Sequence, residues 1–353
     1  MPEIRIDPVS GARAIVAGER SRRPGGAPAS SPPEPIDPAA DPFADGAEGR
    51  TPPELFAVRP DGSPPDSPGW TVRVVPNLYP ALMPEPEHVA VGSEEADSRH
   101  GLPAGSSWRP EPPAKGPVSP AEMFASVPAT GAHEVIVNGP QPVLSLAELP
   151  VEQVCAAMEV WRQRMRAHAE DCAYVQLIVN ERREAGASLP HTHAQLYGLP
   201  FVPADVARER ERFGAHAVRT MGQNLLGDLL QQEVRIGERI VAIDREAVLI
   251  APYASKLPYQ LMLIPRSPRP RFEEDGALGG ALLHDGLTRL ARHLGASPPL
   301  NLWVRTAPRD AEHFCWRIDV MPRLTHLAGL ELSTGLSLNI VAPEDAAERL
   351  REA

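Results

Sequence analysis

Ser188-Leu189-Pro190-His191-Thr192-His193-Ala194-Gln195 is the stretch on which the reading of this chain turns. In an extended segment side chains alternate between two faces. Leu189, His191, His193 and Gln195 then project from one side, and Thr192, Ala194 and Leu196 from the other. Two imidazoles and a carboxamide in a row make a poor core face. They suit a site where one imidazole attacks an electrophile and neighbouring donors stabilise the charge that develops. The competing reading is a polar face satisfied by its own neighbours, and context decides between them.

Around this strand the pattern is dense. Tyr174 to Asn180 reads as a strand, separated from the His-Thr-His-Ala-Gln strand by a Gly-Ala-Ser turn. His133-Glu134-Val135-Ile136-Val137 is a further strand, and Leu146 to about His168 places Leu149, Val154, Met158, Trp161 and Met165 at helical spacing. Trp70 to Pro76 alternates like a strand and stops at proline. Downstream, Pro203 opens a helix running to about Gln232, and Glu238 to Ile243 with Ala247 to Ala251 predicts a hairpin. Tyr259 to Pro265 is a strand, Gly276 to Leu294 a helix, and two strands follow at Leu300 to Val304 and Phe314 to Val320. Pro343-Glu344 opens a terminal helix. Hairpins plus a helix, twice over, predict two related α+β halves.

The chain has 353 residues, enough for two ordinary domains. Its formal net charge of -11 argues against a dedicated nucleic-acid binder, since phosphate backbones reward basic stripes, yet small phosphorylated ligands need only a few cations. No window of about 18 apolar residues predicts a membrane span, and Met1-Pro2-Glu3-Ile4-Arg5-Ile6-Asp7 lacks an apolar signal core, so the cytoplasm is the expected setting. Cys155, Cys172 and Cys315 are scattered, odd in number and without a Cys-x-x-Cys pair, which disfavours a disulfide framework or a thiolate zinc site. The 42 prolines concentrate in two stretches, about 24–68 and 96–120, which are expected to be loops or partly disordered insertions.

Several segments carry a resemblance. Arg5-Ile6-Asp7-Pro8 with Glu19-Arg20-Ser21-Arg22-Arg23-Pro24, Arg73-Val74-Val75-Pro76-Asn77-Leu78-Tyr79-Pro80, the set Asn180, Gly186, Ser188, His191, His193 and Gln195, and the later Pro252-Tyr253-Ala254-Ser255 and Ala328-Gly329-Leu330-Glu331 occur in that order. Together they resemble the galactose-1-phosphate uridylyltransferase family of the histidine-triad superfamily. The resemblance runs nearly end to end, with the proline-rich segments as filler. It implies an α+β fold of two histidine-triad-like halves, 1–205 and 206–353, each an antiparallel sheet with helices packed on one face. It also implies nucleotidyl transfer from a nucleoside diphosphate sugar to a sugar 1-phosphate, with His193 forming a nucleotidyl-histidine and Gln195 beside it. Arg20, Arg23, Asn77, Asn180 and Ser188 would contact nucleotide or phosphate. An adenylyltransferase or phosphorylase acting on ADP-glucose or a dinucleoside polyphosphate is the second activity. A nucleotide-sugar-binding protein without catalysis is the alternative of another class. The resemblance further implies a possible homodimer, and nucleotide sugar and sugar phosphate as partners.

The chain departs from the resemblance at metal. Many family members hold a structural zinc through a Cys-Pro-x-Cys turn, a later histidine and the first histidine of the pair. Here those positions read Asp41-Pro42-Phe43-Ala44 and Gln141-Pro142, and a later His-x-His reads Cys315-Trp316-Arg317. Two candidate ligands fall short of the usual four. The expectation is no bound metal and no cofactor, with His191 in a structural role, hydrogen-bonded to Asp41 or a backbone carbonyl.

Overall fold

Strands β1 (Glu3–Ile6), β2 (Arg13–Val16), β3 (Phe56–Val58), β4 (Val72–Pro76), β5 (Ala132–Val137), β6 (Tyr174–Glu181), β7 (His193–Leu199), β8 (Ile240–Ile243), β9 (Ala247–Ile250), β10 (Leu261–Pro265), β11 (Leu300–Arg305), β12 (Arg317–Pro322) and β13 (Ser337–Asn339) fall close to the alternating runs of the sequence. They are seen in a computed structural model that describes residues 1–22, 32, 34–84 and 123–353, with the side chains of Ser21 and Arg22 outside the description. With them stand the helices α1 (Val151–Ala169), α2 (Ala204–Thr220), α3 (Leu225–Ile236), α4 (Gly280–Leu294), α5 (Gly329–Thr334) and α6 (Pro343–Glu352) and, among the described residues, four short 3-10 turns.

Ten of the strands join in one sheet of order β3-β4-β5-β7-β6-β11-β12-β10-β9-β8, every pairing antiparallel. The order is the same read inward from either edge: three successive strands, then a swapped pair, with a long helix before the strand at the seam. The two related halves are thus present, but their sheets are continuous. β6 and β11 pair at the seam, with Asn180 opposite Asn301 and Ile178 opposite Trp303.

The expected single helical face holds for only part of the molecule. On one face α1 and α4 pack Trp161, Met165, Leu283 and Leu287 against Leu177, Leu196, Leu249, Leu261 and Leu302, with α6 adding Ala347 and Leu350. Each large side chain buried there contributes about 1.5–3 kcal/mol of transfer free energy. In the C-terminal half the other face is also covered by helices, where Phe213 of α2 and Leu226 and Leu230 of α3 meet Val248, Ile250, Met262 and Ile264. β9 and β10 are apolar on both faces, so both need cover. The helix expected from Pro203 to Gln232 is two helices, broken where Met221 takes φ 57° ahead of Gly222. Asn224 restarts the chain by accepting from Leu226 N and Gly227 N.

In the N-terminal half that second face is covered by the proline-rich stretch itself. From residue 34 onward this stretch is not filler. It supplies β3 and lays Phe43 over Val75, Val135 and Val137, with Trp70 just past its end joining the same cluster. Ion pairs hold it: Arg59 and Arg73 share Glu54 at 2.6 and 3.2 Å, Arg73 meets Asp66 at 2.7 Å, and Trp70 Nε1 donates to Glu48 at 2.8 Å. Such a segment has no hydrophobic period to detect. The second expected loop, 96–120, lies outside the described residues. The N-terminal hairpin β1-β2 pairs with β13, anchored where Arg5 donates to Glu344 at 2.9 Å and the Tyr253 carbonyl at 3.0 Å. Among the described residues no helix is long and apolar enough to cross a membrane.

Candidate active site

The strand pairing decides which side chains share a face. β7 lies between β5 and β6, with Gln195 opposite Val135 on one side and Ile178 on the other. Ala194 and Leu196 point into the helical core, so His193, Gln195 and Tyr197 stand on the opposite face. The regular strand begins at His193, and His191 lies just before it. Both rings meet Phe43 edge-on, at centroid distances of 6.2 Å for His191 and 5.3 Å for His193, and Leu189 packs into the same cluster.

His193 is buried, and its Nδ1 lies 2.8 Å from the His191 carbonyl. A carbonyl only accepts, so Nδ1 carries the proton and Nε2 keeps its lone pair in the neutral ring. Burial pushes the His193 pKa down, and the charge of His191 adds to this, outweighing the carbonyl and Asp41. The neutral, nucleophilic form is therefore favoured near neutral pH. No described residue hydrogen-bonds Nε2.

His191 is fully buried and has both nitrogens committed, Nδ1 to Asp41 Oδ2 at 2.6 Å and Nε2 to the Gly139 carbonyl at 2.8 Å. Burial pushes the Asp41 carboxyl up, but the His191 contact and the Phe43 N–H outweigh it and hold it below the usual carboxylate range. With an ionised carboxylate on one side and a carbonyl on the other, both ring nitrogens donate.

The other expected residues divide. Gln195 Oε1 accepts from Tyr197 Oη at 2.9 Å and lies 3.1 Å from His133 Nε2, which among the described residues leaves its NH2 to donate elsewhere. Asn180, at the end of the same face, accepts from Asn301 Nδ2 at 2.8 Å, so its NH2 is likewise uncommitted among the described residues. Asn77 follows β4, its backbone N–H donating to the His133 carbonyl at 3.0 Å and its Oδ1 accepting from Tyr79 N at 2.8 Å. Ser188 is exposed, without a described side-chain hydrogen bond. Arg20 is placed elsewhere: it lines a cavity of about 450 Å³ with Val341, Asp345 and Arg349, and no described contact joins it to His193. Arg23 lies outside the described residues.

His133 is the residue that sequence reasoning missed. Nothing in its own strand marks it, because only the β5–β7 register brings it to Tyr197 and Gln195. At the later triplet, Cys315 is buried and its thiol is pushed up to about 12 by burial, while Arg317 is held by Glu209 at 2.9 and 3.0 Å and by Asp319 at 2.9 Å. Among the described residues no group of three or more His, Cys, Asp or Glu side chains converges as a metal cluster.

Residues 72–203 match the model of the galactose-1-phosphate uridyl transferase N-terminal domain. The chain is 27% identical to ADP-glucose phosphorylase of Arabidopsis thaliana over 363 aligned positions, covering 99% of this chain and 93% of that protein. It is 26% identical to galactose-1-phosphate uridylyltransferase of Cryptococcus neoformans over 307 positions, covering 80% and 74%. Among solved structures, a GalT-like protein of A. thaliana superposes with a TM-score of 0.74 at 25% identity, covering 100% and 99% of the two chains. The A. thaliana ADP-glucose phosphorylase with bound ADP-glucose gives 0.75 at 24% identity, covering 100% and 99%. Residues 72–203 thus carry a galactose-1-phosphate uridyl transferase N-terminal domain, and over most of its length the chain is similar to galactose-1-phosphate uridylyltransferases and an ADP-glucose phosphorylase.

Proposed function

We propose that the chain is a nucleotidyltransferase working by two displacements at phosphorus through His193. In the first, Nε2 attacks the α-phosphorus of a nucleoside diphosphate sugar; a P–N bond forms, the bond to the bridging oxygen breaks, and the sugar 1-phosphate leaves. The ring keeps its Nδ1 proton and becomes a cationic phosphoramidate, which the His191 carbonyl stabilises through that proton. In the second, a phosphate oxygen of the acceptor attacks the same phosphorus, the P–N bond breaks, and neutral imidazole returns. No proton has to move in either step. The observation that carries this reading is the Nδ1–carbonyl contact at 2.8 Å, which leaves Nε2 as a lone pair beside the free amide donors of Gln195 and Asn180. An amide donates to phosphoryl oxygen without supplying a proton or activating water, which suits transfer rather than hydrolysis.

For the group transferred, an adenylyl unit passed from ADP-glucose to inorganic phosphate is supported by the relative of that activity aligning over nearly the whole chain. Uridylyl transfer to galactose 1-phosphate is supported by the family model and by relatives aligned over less of the chain. Incubation with ADP-glucose or UDP-glucose labelled at the α-phosphorus should give an acid-labile, base-stable protein adduct. Chasing with phosphate or galactose 1-phosphate then identifies the acceptor. No adduct with either sugar, or an adduct that persists in His193→Ala, would sink the proposal and leave the binding-protein reading.

The Asp41–His191 pair takes the place of a structural zinc in this reading. His191 has no lone pair left for a metal, since both nitrogens donate. One tightly bound equivalent of zinc in the purified protein would overturn it. A cytoplasmic setting fits the three unpaired cysteines. A homodimer is the corresponding proposal for Arg20, which has no route to His193 within its own chain among the described contacts.

A further inference from the structure

Two of the amides on the ligand side of the sheet, those of Gln195 and Asn77, approach the same imidazole. His133 Nε2 lies 3.1 Å from Gln195 Oε1 and 3.1 Å from Asn77 Nδ2, and its ring stacks on Tyr197 at a centroid distance of 4.2 Å. Its other nitrogen is decisive. The backbone N–H of Ala81 donates to Nδ1 at 3.0 Å, so Nδ1 must be the unprotonated nitrogen. In the neutral ring the proton then resides on Nε2. Burial lowers the pKa of His133, with the Gln195 contact opposing it, which agrees with a neutral ring.

From this tautomer the rest follows. Nε2–H donates to Gln195 Oε1, and Tyr197 Oη donates to the same oxygen at 2.9 Å. Both lone pairs of the amide oxygen are then occupied. A flip of the carboxamide would put its NH2 against the Nε2–H donor, so the flip is barred. Asn77 Nδ2 cannot donate to a protonated Nε2, and Asn77 Oδ1 is already held by Tyr79 N. Its NH2 therefore faces a donor and is left for a ligand acceptor.

We infer that His133 is a positioning residue: as the Nε2–H tautomer it locks the Gln195 carboxamide with its NH2 toward the phosphoryl group, and it leaves the Asn77 amide as a donor for the nucleotide. The inference rests on the nucleotidyl transfer proposed above. It adds a residue that acts through Gln195 and touches no reacting atom.

Nitrogen-15 NMR of the full chain, with the His133 signals assigned by their loss in His133→Phe, should show Nδ1 unprotonated and Nε2 protonated near neutral pH. The opposite tautomer, or a doubly protonated ring, overturns the inference whatever the activity proves to be. His133→Phe keeps a ring against Tyr197 and removes both nitrogens. It should slow single-turnover adduct formation by about tenfold, the worth of one neutral hydrogen bond. Added to Gln195→Ala it should slow the reaction no further, because the residue it serves is gone. An unchanged rate in His133→Phe, or losses that multiply in the double variant, would mean that His133 does not work through Gln195. If the unaltered protein forms no adduct at all, the function proposed above fails, and the nitrogen signals alone then decide the tautomer.

Discussion

β7 and β12 hold equivalent places, each fourth from its own edge of the sheet, and both carry polar side chains on the face away from α1 and α4. On β12, Arg317 and Asp319 bond to each other at 2.9 Å, Glu209 of α2 grips the guanidinium with both oxygens, and Arg305 approaches the same carboxylate at 3.5 Å. Two cations meet two carboxylates, all largely buried under α2. On β7, the nucleophile candidate keeps a lone pair and the amide at Gln195 keeps its NH2. The lesson is that a polar strand face becomes a site only where the covering layer leaves donors and lone pairs uncommitted. Where a helix supplies complementary charge, the same strand position becomes structure.

The comparison would break most plainly at His193. His193→Ala should cut adduct formation on the order of 10³-fold or more while the melting temperature hardly moves. Arg317→Ala should do the reverse. It strands the Glu209 and Asp319 carboxylates, and removing one partner of a buried pair costs about 3–5 kcal/mol, readable by urea unfolding. If Arg317→Ala left stability intact and lowered activity instead, the two strands would not differ as argued.

A smaller effect is expected at Asp41. Asp41→Ala leaves the His191 Nδ1 donor buried without an acceptor, a cost of about 1–3 kcal/mol. Because the Asp41 carboxyl binds its proton less readily folded than unfolded, its contribution is complete above the ordinary carboxylate range near pH 4 and fades as pH falls below it. Acid titration of the unfolding free energy should therefore be shallower in Asp41→Ala, and an unchanged slope would refute the pair.

A change of similar size and opposite sign is expected at the seam, where Glu181 of β6 lies opposite Leu300. Burial pushes its carboxyl up to about 7 from 4.5, against hydrogen bonds from Ser145 Oγ at 2.6 Å and Leu146 N at 2.7 Å. Here the folded chain holds the proton more tightly, so stability declines as pH rises from about 4.5 to about 7. Glu181→Gln keeps both partners and removes the buried charge. It should be more stable than the unaltered chain above pH 7 by about 1–3 kcal/mol and indistinguishable at pH 4; equal stability at both would refute this.

Much of the candidate site was legible because its spacing is local. His191, His193 and Gln195 follow from period two alone, and the resemblance supplied Asn77, Asn180 and Ser188. His133 was not legible, since its meaning lies in a strand register that no local pattern encodes. The pairing of His191 with Asp41, 150 positions away in the chain, was legible only through the resemblance, which sets Asp41 where family members carry a cysteine. Arg20 matched a motif, yet the folded chain sets it beside α6 and β13 rather than His193.

The sequence by itself determined the two α+β halves, the strand that bears the nucleophile candidate and the replacement of the expected cysteines. The first two depend on residue type and short-range periodicity, and the third on the resemblance. Only the tertiary structure decided that the halves share one sheet, that the proline-rich stretch covers the His191 face, and which lone pairs remain free. Protonation and donor direction depend on what each nitrogen meets across the fold, and a buried imidazole takes its role from those partners.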